Sequence, residues 1–298
     1  MKKLLFRQTS FAVLAVALLA YGHAATIGAS DSDTALTAHL IKLRTGVTLE
    51  YVTQGRADGQ PIVFLHGGGD SWHSWLRVYP RIPAKYHVYS VTLRGHGLSD
   101  HPPTGYSRLD FANDIVAFLD QLHIEKPVIV GHSLGTLVAQ AVAVIAPDHV
   151  SKLVLVGAPA ELPKTDAVKE ISERTANPDK AVDANFARDF QFSTVFNPLP
   201  ADFAEIVVKD AQQLQDYVWH ELGKALAADH FVDQISKIKA PTLLLWGDRD
   251  TLVDRAQEDL LLSKITSAKL KVYPNTGHGL HWEKPEEFTQ DLLAFISR

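Results

Sequence analysis

The chain has 298 residues, a formal net charge of −5 and no cysteine, and 46% of its residues are hydrophobic. Without cysteine the protein has no disulfides, no thiol nucleophile and no thiolate zinc site. Its mildly acidic balance gives no indication of nucleic-acid binding. The length suits one large α/β domain with an insertion, or two smaller domains, and the apolar content can supply a core.

The first 24 residues have the pattern of a secretory signal peptide. Three basic residues lie near the start, residues 11–20 are apolar, and the small residues Gly22 and Ala24 lie at the cleavage spacing. Ten apolar residues are too few to cross a bilayer as a helix. We therefore expect cleavage after Ala24, with Gly22 as the alternative site, and export to the periplasm or the medium. An uncleaved anchor is the competing interpretation, and nothing after residue 24 resembles a membrane span.

Short β-like runs alternate with helical patterns along the rest of the chain. The predicted strands are 39–44, 47–53, 61–65, 87–92, 128–130, 150–156, 240–246 and 270–273. The predicted helices are 72–79, 109–122, 137–146, a stretch that ends near 263, and 285–296. This alternation favours an α/β fold with a mostly parallel sheet that is flanked by helices on both faces.

Residues 160–233 differ from the rest, because they are charged, alanine-rich and helical in pattern, with no β-like run. We therefore predict that the chain is divided into three parts. Residues 1–24 are the signal peptide, 25–159 together with 234–298 form the α/β core, and 160–233 are a helical cap, or lid, inserted into that core.

A G-x-S-x-G motif lies between the strand at 128–130 and the following helix. Its residues are Gly131-His132-Ser133-Leu134-Gly135. In this motif the serine occupies a strained turn from strand to helix, and bulkier residues in place of the glycines would clash. The serine also lies at a helix N-terminus, where free N–H groups favour a developing negative charge. Ser133 is therefore the candidate nucleophile.

A serine nucleophile needs a base, and the base needs a third group that holds its tautomer. An acid and a histidine follow later strands in the order Ser, Asp, His: Asp250 after the strand at 240–246, and His278 after the strand at 270–273. Loops at the carboxyl ends of parallel strands converge on one crevice. Asp248 and Asp254 are alternative candidates for the acid.

Together these blocks resemble the α/β-hydrolase superfamily, in particular its small esterases and lactonases, over residues 40–160 and 235–298. The matching blocks are Leu65-His66-Gly67-Gly68, Arg94-Gly95-His96-Gly97-Leu98-Ser99, the serine motif, Trp246-Gly247-Asp248-Arg249-Asp250, Gly277-His278, and Glu283-Lys284-Pro285-Glu286-Glu287-Phe288. The resemblance implies Ser133 as nucleophile, His278 as base and Asp250 as the acid. One departure is Thr92, where the family often has Asp, and we interpret that position as structural.

The resemblance further implies an oxyanion hole formed by the backbone N–H groups of Gly68 and Leu134, with Gly69 as the alternative to Gly68. The cap is rich in aromatic residues, which predicts an apolar pocket that accepts an apolar acyl or alcohol group. We expect this pocket to be lined by Gly69, Trp72, Phe190, Phe196 and Trp219. Packing in the core is the alternative role for these side chains.

The sequence thus predicts an exported serine hydrolase that cleaves a carboxylic ester or lactone through an acyl-enzyme. The alternatives are a hydrolase of C–C bonds next to a ketone, a cofactor-free perhydrolase or haloperoxidase, and a non-catalytic ligand-binding protein. We expect a small-molecule substrate and no cofactor. His278 and His281 lack the H-E-x-x-H spacing of zinc hydrolases, so no metal is expected. The sequence does not predict the oligomeric state.

Overall fold

An eight-stranded sheet forms the centre of the protein in a computed structural model, which describes residues 35–161, 164–177, 181 and 185–298. The strands are β1 Thr37–Lys42, β2 Thr48–Gln54, β3 Gln60–Leu65, β4 Tyr86–Val91, β5 Val128–His132, β6 Lys152–Val156, β7 Thr242–Gly247 and β8 Ala268–Tyr273. The predicted signal peptide and its cleavage site lie outside the described residues.

The strands lie in the order β1-β2-β4-β3-β5-β6-β7-β8. The pairs β1–β2 and β2–β4 are antiparallel, and all the other pairs are parallel. After β4 the chain crosses back over β3 to form β5, so the direction of winding reverses between β3 and β5. Ligands bind at such a switch point, outside the carboxyl ends of the strands. Gly68 follows β3 at this point, and Ser133 follows β5.

The helices are α1 Arg108–Gln121, α2 Leu134–Ile145, α3 Asp166–Thr175, α4 Phe186–Ser193, α5 Ala201–Gln213, α6 Asp216–Ala227, α7 Arg255–Lys264, α8 Leu280–Glu283 and α9 Pro285–Ile296. The helix predicted at 72–79 is instead a pair of short 3-10 turns, Trp72–Trp75 and Tyr79–Arg81. Across the described ranges, no helix is both long and apolar enough to cross a membrane.

The two faces of the sheet carry separate apolar clusters, which explains why the central strands read as continuous hydrophobic runs. In β5, Ile129 packs on the face covered by α1 and α2. Val128 and Val130 pack on the opposite face, which is covered by α9 and the turn at Trp72–Trp75. The predicted sheet, mostly parallel with helices on both sides, is confirmed.

The chain between β6 and β7 contributes α3, α4, α5 and α6, and the part of it that the structure describes contains no strand. These helices contact one another, with α4 against α5 and α3 against α6. They belong to the same compact unit as the sheet. An inserted helical segment is therefore present, while its division from the core at residues 160 and 233 stays a prediction.

Candidate active site

Ser133 lies at the sharp turn between β5 and α2. It is the N-cap of α2 and has φ of +49° and ψ of −116°, a conformation that is strained for a residue with a Cβ. The two glycines of the motif permit the turn. A Cβ on Gly131 would lie 2.4 Å from the carbonyl oxygen of Gly135, and a Cβ on Gly135 would lie 2.3 Å from the carbonyl oxygen of Leu65. The turn therefore needs glycine at both positions.

His278 is paired with Asp250 in the loops that follow β8 and β7. The imidazole Nδ1 donates to Asp250 Oδ2 at 2.7 Å, and the side chains of His278 and Asp250 are 2% and 0% exposed. The second carboxylate oxygen of Asp250 accepts the backbone N–H groups of Leu252 at 2.9 Å and Val253 at 2.8 Å. The carboxylate thus fixes the Nδ1–H tautomer of the imidazole and leaves Nε2 without a proton.

The two alternative acids lie elsewhere. The Asp248 side chain is 35% exposed beside Arg249, with 3.8 Å between carboxylate oxygen and guanidinium nitrogen. Asp254 caps the N-terminus of α7, where its side chain accepts the backbone N–H of Gln257 at 3.2 Å. Of the three candidates, the structure brings only Asp250 to the histidine.

Ser133 and His278 line the same cavity, of about 140 Å³, together with Gly68 and Leu134. The Nε2 atom of His278 is buried and has no hydrogen-bond partner among the described residues. Most of the wall is apolar, with Leu137, Val168, Ile171, Leu222, Leu226 and Leu252 among its side chains. The four residues therefore line one mainly apolar space, and the Nε2 atom of His278 remains available as an acceptor.

The backbone N–H groups of Gly68 and Gly69 differ in whether they are free. Gly69 N–H donates to the Nε2 atom of the buried His96 at 3.2 Å, so this N–H group already has an acceptor. Gly68 faces open space, since a Cβ added there would meet no atom within 4 Å. Leu134 opens α2, and the first N–H groups of a helix have no intrahelical acceptor. Gly68 and Leu134 therefore stay the candidate oxyanion donors, and Gly69 does not suit that role.

Two buried histidines hold the loops around these donors. His96 also contacts the Arg94 carbonyl oxygen through Nδ1 at 2.9 Å. Burial, together with the nearby His66, lowers the pKa of His96 to about 3. His66 contacts the Gly67 carbonyl oxygen through Nδ1 at 2.7 Å and accepts Leu93 N–H at 2.9 Å. Burial lowers the pKa of His66 as well. Both rings are neutral at pH 7 and act as fixed donor–acceptor pairs.

Of the predicted pocket residues, Phe190 and Trp219 line the cavity. Their rings meet edge to face, with centroids 5.4 Å apart. Gly69 lies directly behind this pair, because a Cβ on it would lie 2.8 Å from the Trp219 ring. Gly69 therefore supports the aromatic wall from behind and does not line the cavity.

Trp72 and Phe196, also predicted for the pocket, lie outside the cavity. Trp72 begins a 3-10 turn that Ser71 caps, and it donates its backbone N–H to Thr92 Oγ1 at 3.3 Å and its indole Nε1–H to a Glu50 carboxylate oxygen at 3.3 Å. Phe196 is 53% exposed and packs against the Arg249 guanidinium, 5.6 Å from the ring centroid. We correct the predicted lining accordingly. Thr92 has the structural role expected of it.

Glu283 stabilises the loop that carries His278, a role that the sequence analysis did not assign. Its carboxylate accepts the backbone N–H groups of Gly277 at 2.8 Å, Phe196 at 2.9 Å and Asn197 at 3.0 Å. It thereby joins the histidine loop to the segment after α4. Glu283 is the first residue of one of the blocks that resemble the family, and this was the sequence signal for its importance. Its contacts with residues 196–197 carried no such signal, because those residues are remote in sequence.

Two acidic residues line the cavity, which was also not predicted. Glu161 and Asp229 line it, and Asp229 pairs with the guanidinium of Arg108, whose side chain is 3% exposed. Among the described lining residues, His278 alone can carry a positive charge. The residues described contain no group of three or more His, Cys, Asp or Glu placed to hold a metal ion.

Residues 60–285, most of the chain, match the model of a family described as the alpha/beta hydrolase fold. The chain belongs to the alpha/beta hydrolase family. The predicted membership is therefore confirmed, and the family match covers the serine turn and the loops of Asp250 and His278.

The relatives of this chain are named for several different activities. The chain is 31% identical over 281 residues to a non-heme chloroperoxidase of Streptomyces lividans, which covers 84% of this chain and 96% of the relative. It is 27% identical over 286 residues to a 2-hydroxy-6-oxononadienedioate/2-hydroxy-6-oxononatrienedioate hydrolase of Paraburkholderia phymatum, covering 92% and 99%. In fold it is similar to an esterase of Exiguobacterium antarcticum, with TM-score 0.81, 22% identity, and coverage of 88% and 100%.

Proposed function

We propose that this alpha/beta hydrolase is an exported serine hydrolase that cleaves a small, uncharged carboxylic ester or lactone. One observation carries the proposal: Asp250 holds His278 through Nδ1, and His278, whose Nε2 has no hydrogen-bond partner among the described residues, lines the same cavity as Ser133. An imidazole nitrogen without a partner, in the same cavity as a serine at a helix N-terminus, is suited to general-base activation of the hydroxyl. Such hydrogen bonds are often long or absent without substrate.

The proposed reaction proceeds in two halves. The Ser133 hydroxyl transfers its proton to His278 Nε2 while its oxygen attacks the ester carbonyl carbon. The N–H groups of Gly68 and Leu134 stabilise the tetrahedral oxyanion, and His278 returns the proton to the departing alkoxide. Water then enters, gives a proton to the same nitrogen and attacks the acyl-enzyme, and the acid leaves as Ser133 Oγ regains a proton. Asp250 stabilises the imidazolium in both halves.

Cavity size and lining support a small apolar substrate. Cavities of about 150 Å³ hold a molecule of the size of benzene, so 140 Å³ suits a short acyl chain or a single aromatic ring. Leucine and aromatic side chains in the wall favour an apolar group. Glu161 and Asp229, which also line the cavity, disfavour an anionic group, because a substrate carboxylate would meet two acidic side chains there.

The acidic lining argues against C–C cleavage of the kind named for the Paraburkholderia relative. The substrates in the name of that relative are dioates, which carry two carboxylates. Binding of a dicarboxylate requires cationic partners, and apart from His278 no residue among the described lining residues supplies one. We therefore propose an uncharged ester or lactone in preference to an anionic diketone.

Perhydrolysis is the second candidate, because the chloroperoxidase of Streptomyces lividans is 31% identical to this chain. In that reaction hydrogen peroxide replaces water in the second half, and a peracid leaves in place of the acid. Incubation of the protein with acetate and hydrogen peroxide, followed by measurement of peracetic acid, distinguishes this activity from plain hydrolysis.

The test of the proposal is hydrolysis of p-nitrophenyl esters from acetate to octanoate. We expect a burst of p-nitrophenol, highest kcat/KM with the short chains, and a loss of at least about 10³-fold in kcat in Ser133→Ala. Ser263→Ala, an exposed serine of α7, is the matched control and keeps the activity. Unchanged turnover in Ser133→Ala refutes the proposal. Export is tested by fractionation and by the mature N-terminus, which we expect at Ala25.

A further inference from the structure

The segment Gly67–His73, which we call the oxyanion segment, is held between the core and the inserted helices. On the core side, Gly69 N–H donates to His96 Nε2 at 3.2 Å and Trp72 N–H donates to Thr92 Oγ1 at 3.3 Å. These contacts fix one side of the segment. The inserted helices α4, α5 and α6 also contact the segment, through Gln191, Asp210 and Trp219.

Helix α4 reaches the segment through Gln191. This side chain is 2% exposed, and its Nε2 donates to Asp70 Oδ1 at 2.9 Å and to the Gly69 carbonyl oxygen at 3.4 Å. The other oxygen of Asp70 accepts Gly67 N–H at 3.2 Å and the Ser74 hydroxyl at 3.3 Å. Asp70 therefore closes the segment on itself, and Gln191 fixes the orientation of the Asp70 carboxylate from the cap.

Helix α5 reaches the segment through Asp210, which is 6% exposed. Its carboxylate accepts the Ser71 hydroxyl at 2.6 Å and lies 3.0 Å from His73 Nδ1. Helix α6 contributes Trp219, whose ring would be 2.8 Å from a Cβ on Gly69. Ser71, His73 and Asp210 do not form a second triad, because the serine and the acid both contact the same imidazole nitrogen, Nδ1.

Gly68 lies between these anchored residues but has no such contact of its own. A Cβ on it would meet nothing within 4 Å, and the residue opens into the cavity. An oxyanion donor must lie about 2.7–3.1 Å from the developing charge to be effective. The position of the Gly68 N–H is therefore determined by the neighbouring residues of the segment, and through their contacts by the inserted helices.

We propose that Gln191 and Asp210 are positioning residues that set the Gly68 N–H for the oxyanion, so that the inserted helices form part of the oxyanion hole. This inference rests on the proposed function. The oxyanion forms only after substrate has bound, in the tetrahedral intermediate and the transition states that flank it, so loss of its donor lowers kcat and leaves KM nearly unchanged. A residue that merely binds substrate would raise KM instead.

The test uses Gln191→Met, which keeps length and removes the donor, and Asp210→Ala. Removal of a whole oxyanion donor lowers kcat by about 10²–10³-fold, and displacement of one should cost less. We therefore expect a fall in kcat of about tenfold on p-nitrophenyl butyrate, with KM within about twofold. Affinity for butylboronic acid, whose serine adduct carries a tetrahedral anion, should fall by the same factor as kcat/KM. Glu205→Ala, an exposed acid of α5, is the control and should match the wild type.

A swapped pair separates positioning from general loss of packing. Asp70→Asn and Gln191→Glu should each lower kcat, because each removes the donor–acceptor match between the two side chains. In the double variant, the Asn amide donates to the Glu carboxylate and the direction of the bond is reversed. We expect the double variant to recover at least half of the loss in the logarithm of kcat.

Hydrogen–deuterium exchange of the peptide that contains Gly68 and Gly69 provides a readout independent of turnover. Faster exchange in Gln191→Met, with exchange in β5 and α2 unchanged, supports the proposal. Wild-type kcat and boronate affinity in both single variants overturn it, as does a loss that lies wholly in KM. If the wild type hydrolyses no ester, the proposed function fails, and unchanged exchange in Gln191→Met then refutes the structural coupling as well.

Discussion

Asp248 and Asp250 lie two residues apart in opposite environments, and the difference decides which of them can orient His278. The Asp250 side chain is fully buried, contacts the imidazole and accepts two backbone N–H groups. Asp248 is exposed beside Arg249. Both oxygens of this buried carboxylate accept hydrogen bonds, which hold Asp250, and with it the histidine ring, in one orientation.

Asparagine at position 250 should therefore lower activity far more than asparagine at position 248. An Asn amide can donate an N–H to Nδ1 of His278, which moves the imidazole proton to Nε2 and removes the base. We expect a fall in kcat of about 10³–10⁴-fold for Asp250→Asn and a change within about twofold for Asp248→Asn, measured on p-nitrophenyl acetate. The reverse ranking would assign the acid to Asp248.

At the scale of elements, the unit made of β5, the serine turn and α2 is predictable from sequence because local interactions specify it. Branched residues predict a buried strand, the two glycines prevent clashes of 2.4 and 2.3 Å, and an apolar run follows as a helix. The loops of Asp250 and His278 are predictable for a related reason, since parallel strands deliver their carboxyl ends to one edge.

The inserted helices are predictable as helices but not in their contacts. The spacing of Phe186 and Phe190 indicates one face of α4, but it does not say what that face packs against. Gln191 and Asp210 carried no sequence signal, because their partners in the oxyanion segment lie more than a hundred residues away. The closeness of Trp72 to Gly69 in sequence suggests a place in the pocket, but its hydrogen bonds to Thr92 and Glu50 hold it elsewhere.

The acidic residues that line the cavity should select the charge of the substrate. Asp229→Asn leaves the buried Arg108 guanidinium without its partner, so the variant should accept an anionic ester more readily. We expect the ratio of kcat/KM for p-nitrophenyl butyrate over p-nitrophenyl hemiglutarate to fall about tenfold, which corresponds to about 1.4 kcal/mol. The ratio is independent of the folded fraction, since both substrates report on the same protein.

Asp233→Asn is the control for this measurement. Asp233 follows Asp229 on the chain segment between α6 and β7, and its side chain is 86% exposed. Its ratio should equal that of the wild type. An unchanged ratio in Asp229→Asn would show that the carboxylate does not select against anionic substrates.

For the whole molecule, buried histidines link stability to pH. Burial lowers the pKa of His66, His96, His132 and His281 below the usual value near 6.5. The unfolded chain therefore takes up protons near pH 6.5, while the folded protein takes them up only at lower pH. Their stabilising contribution is complete above that pH and decreases as the pH falls, by up to about 1.4 kcal/mol per pH unit for each histidine.

We expect the free energy of unfolding, measured in urea, to fall steadily between pH 7 and pH 5. Glu258 opposes this trend, because burial raises its pKa well above the usual value, so its contribution decreases as the pH rises. Four histidines outweigh one carboxyl in this window. A free energy of unfolding that stays constant from pH 7 to pH 5 would contradict the assignment of neutral buried rings.

The most direct test of the catalytic centre is covalent labelling with a fluorophosphonate, followed by mass analysis of the peptides. A serine activated by a histidine is phosphonylated at its oxygen with loss of fluoride. We predict one label per chain, on Ser133, and none in His278→Ala. A label on Ser71, which lies beside His73 and Asp210, or the absence of any label on the folded wild type, would contradict the account.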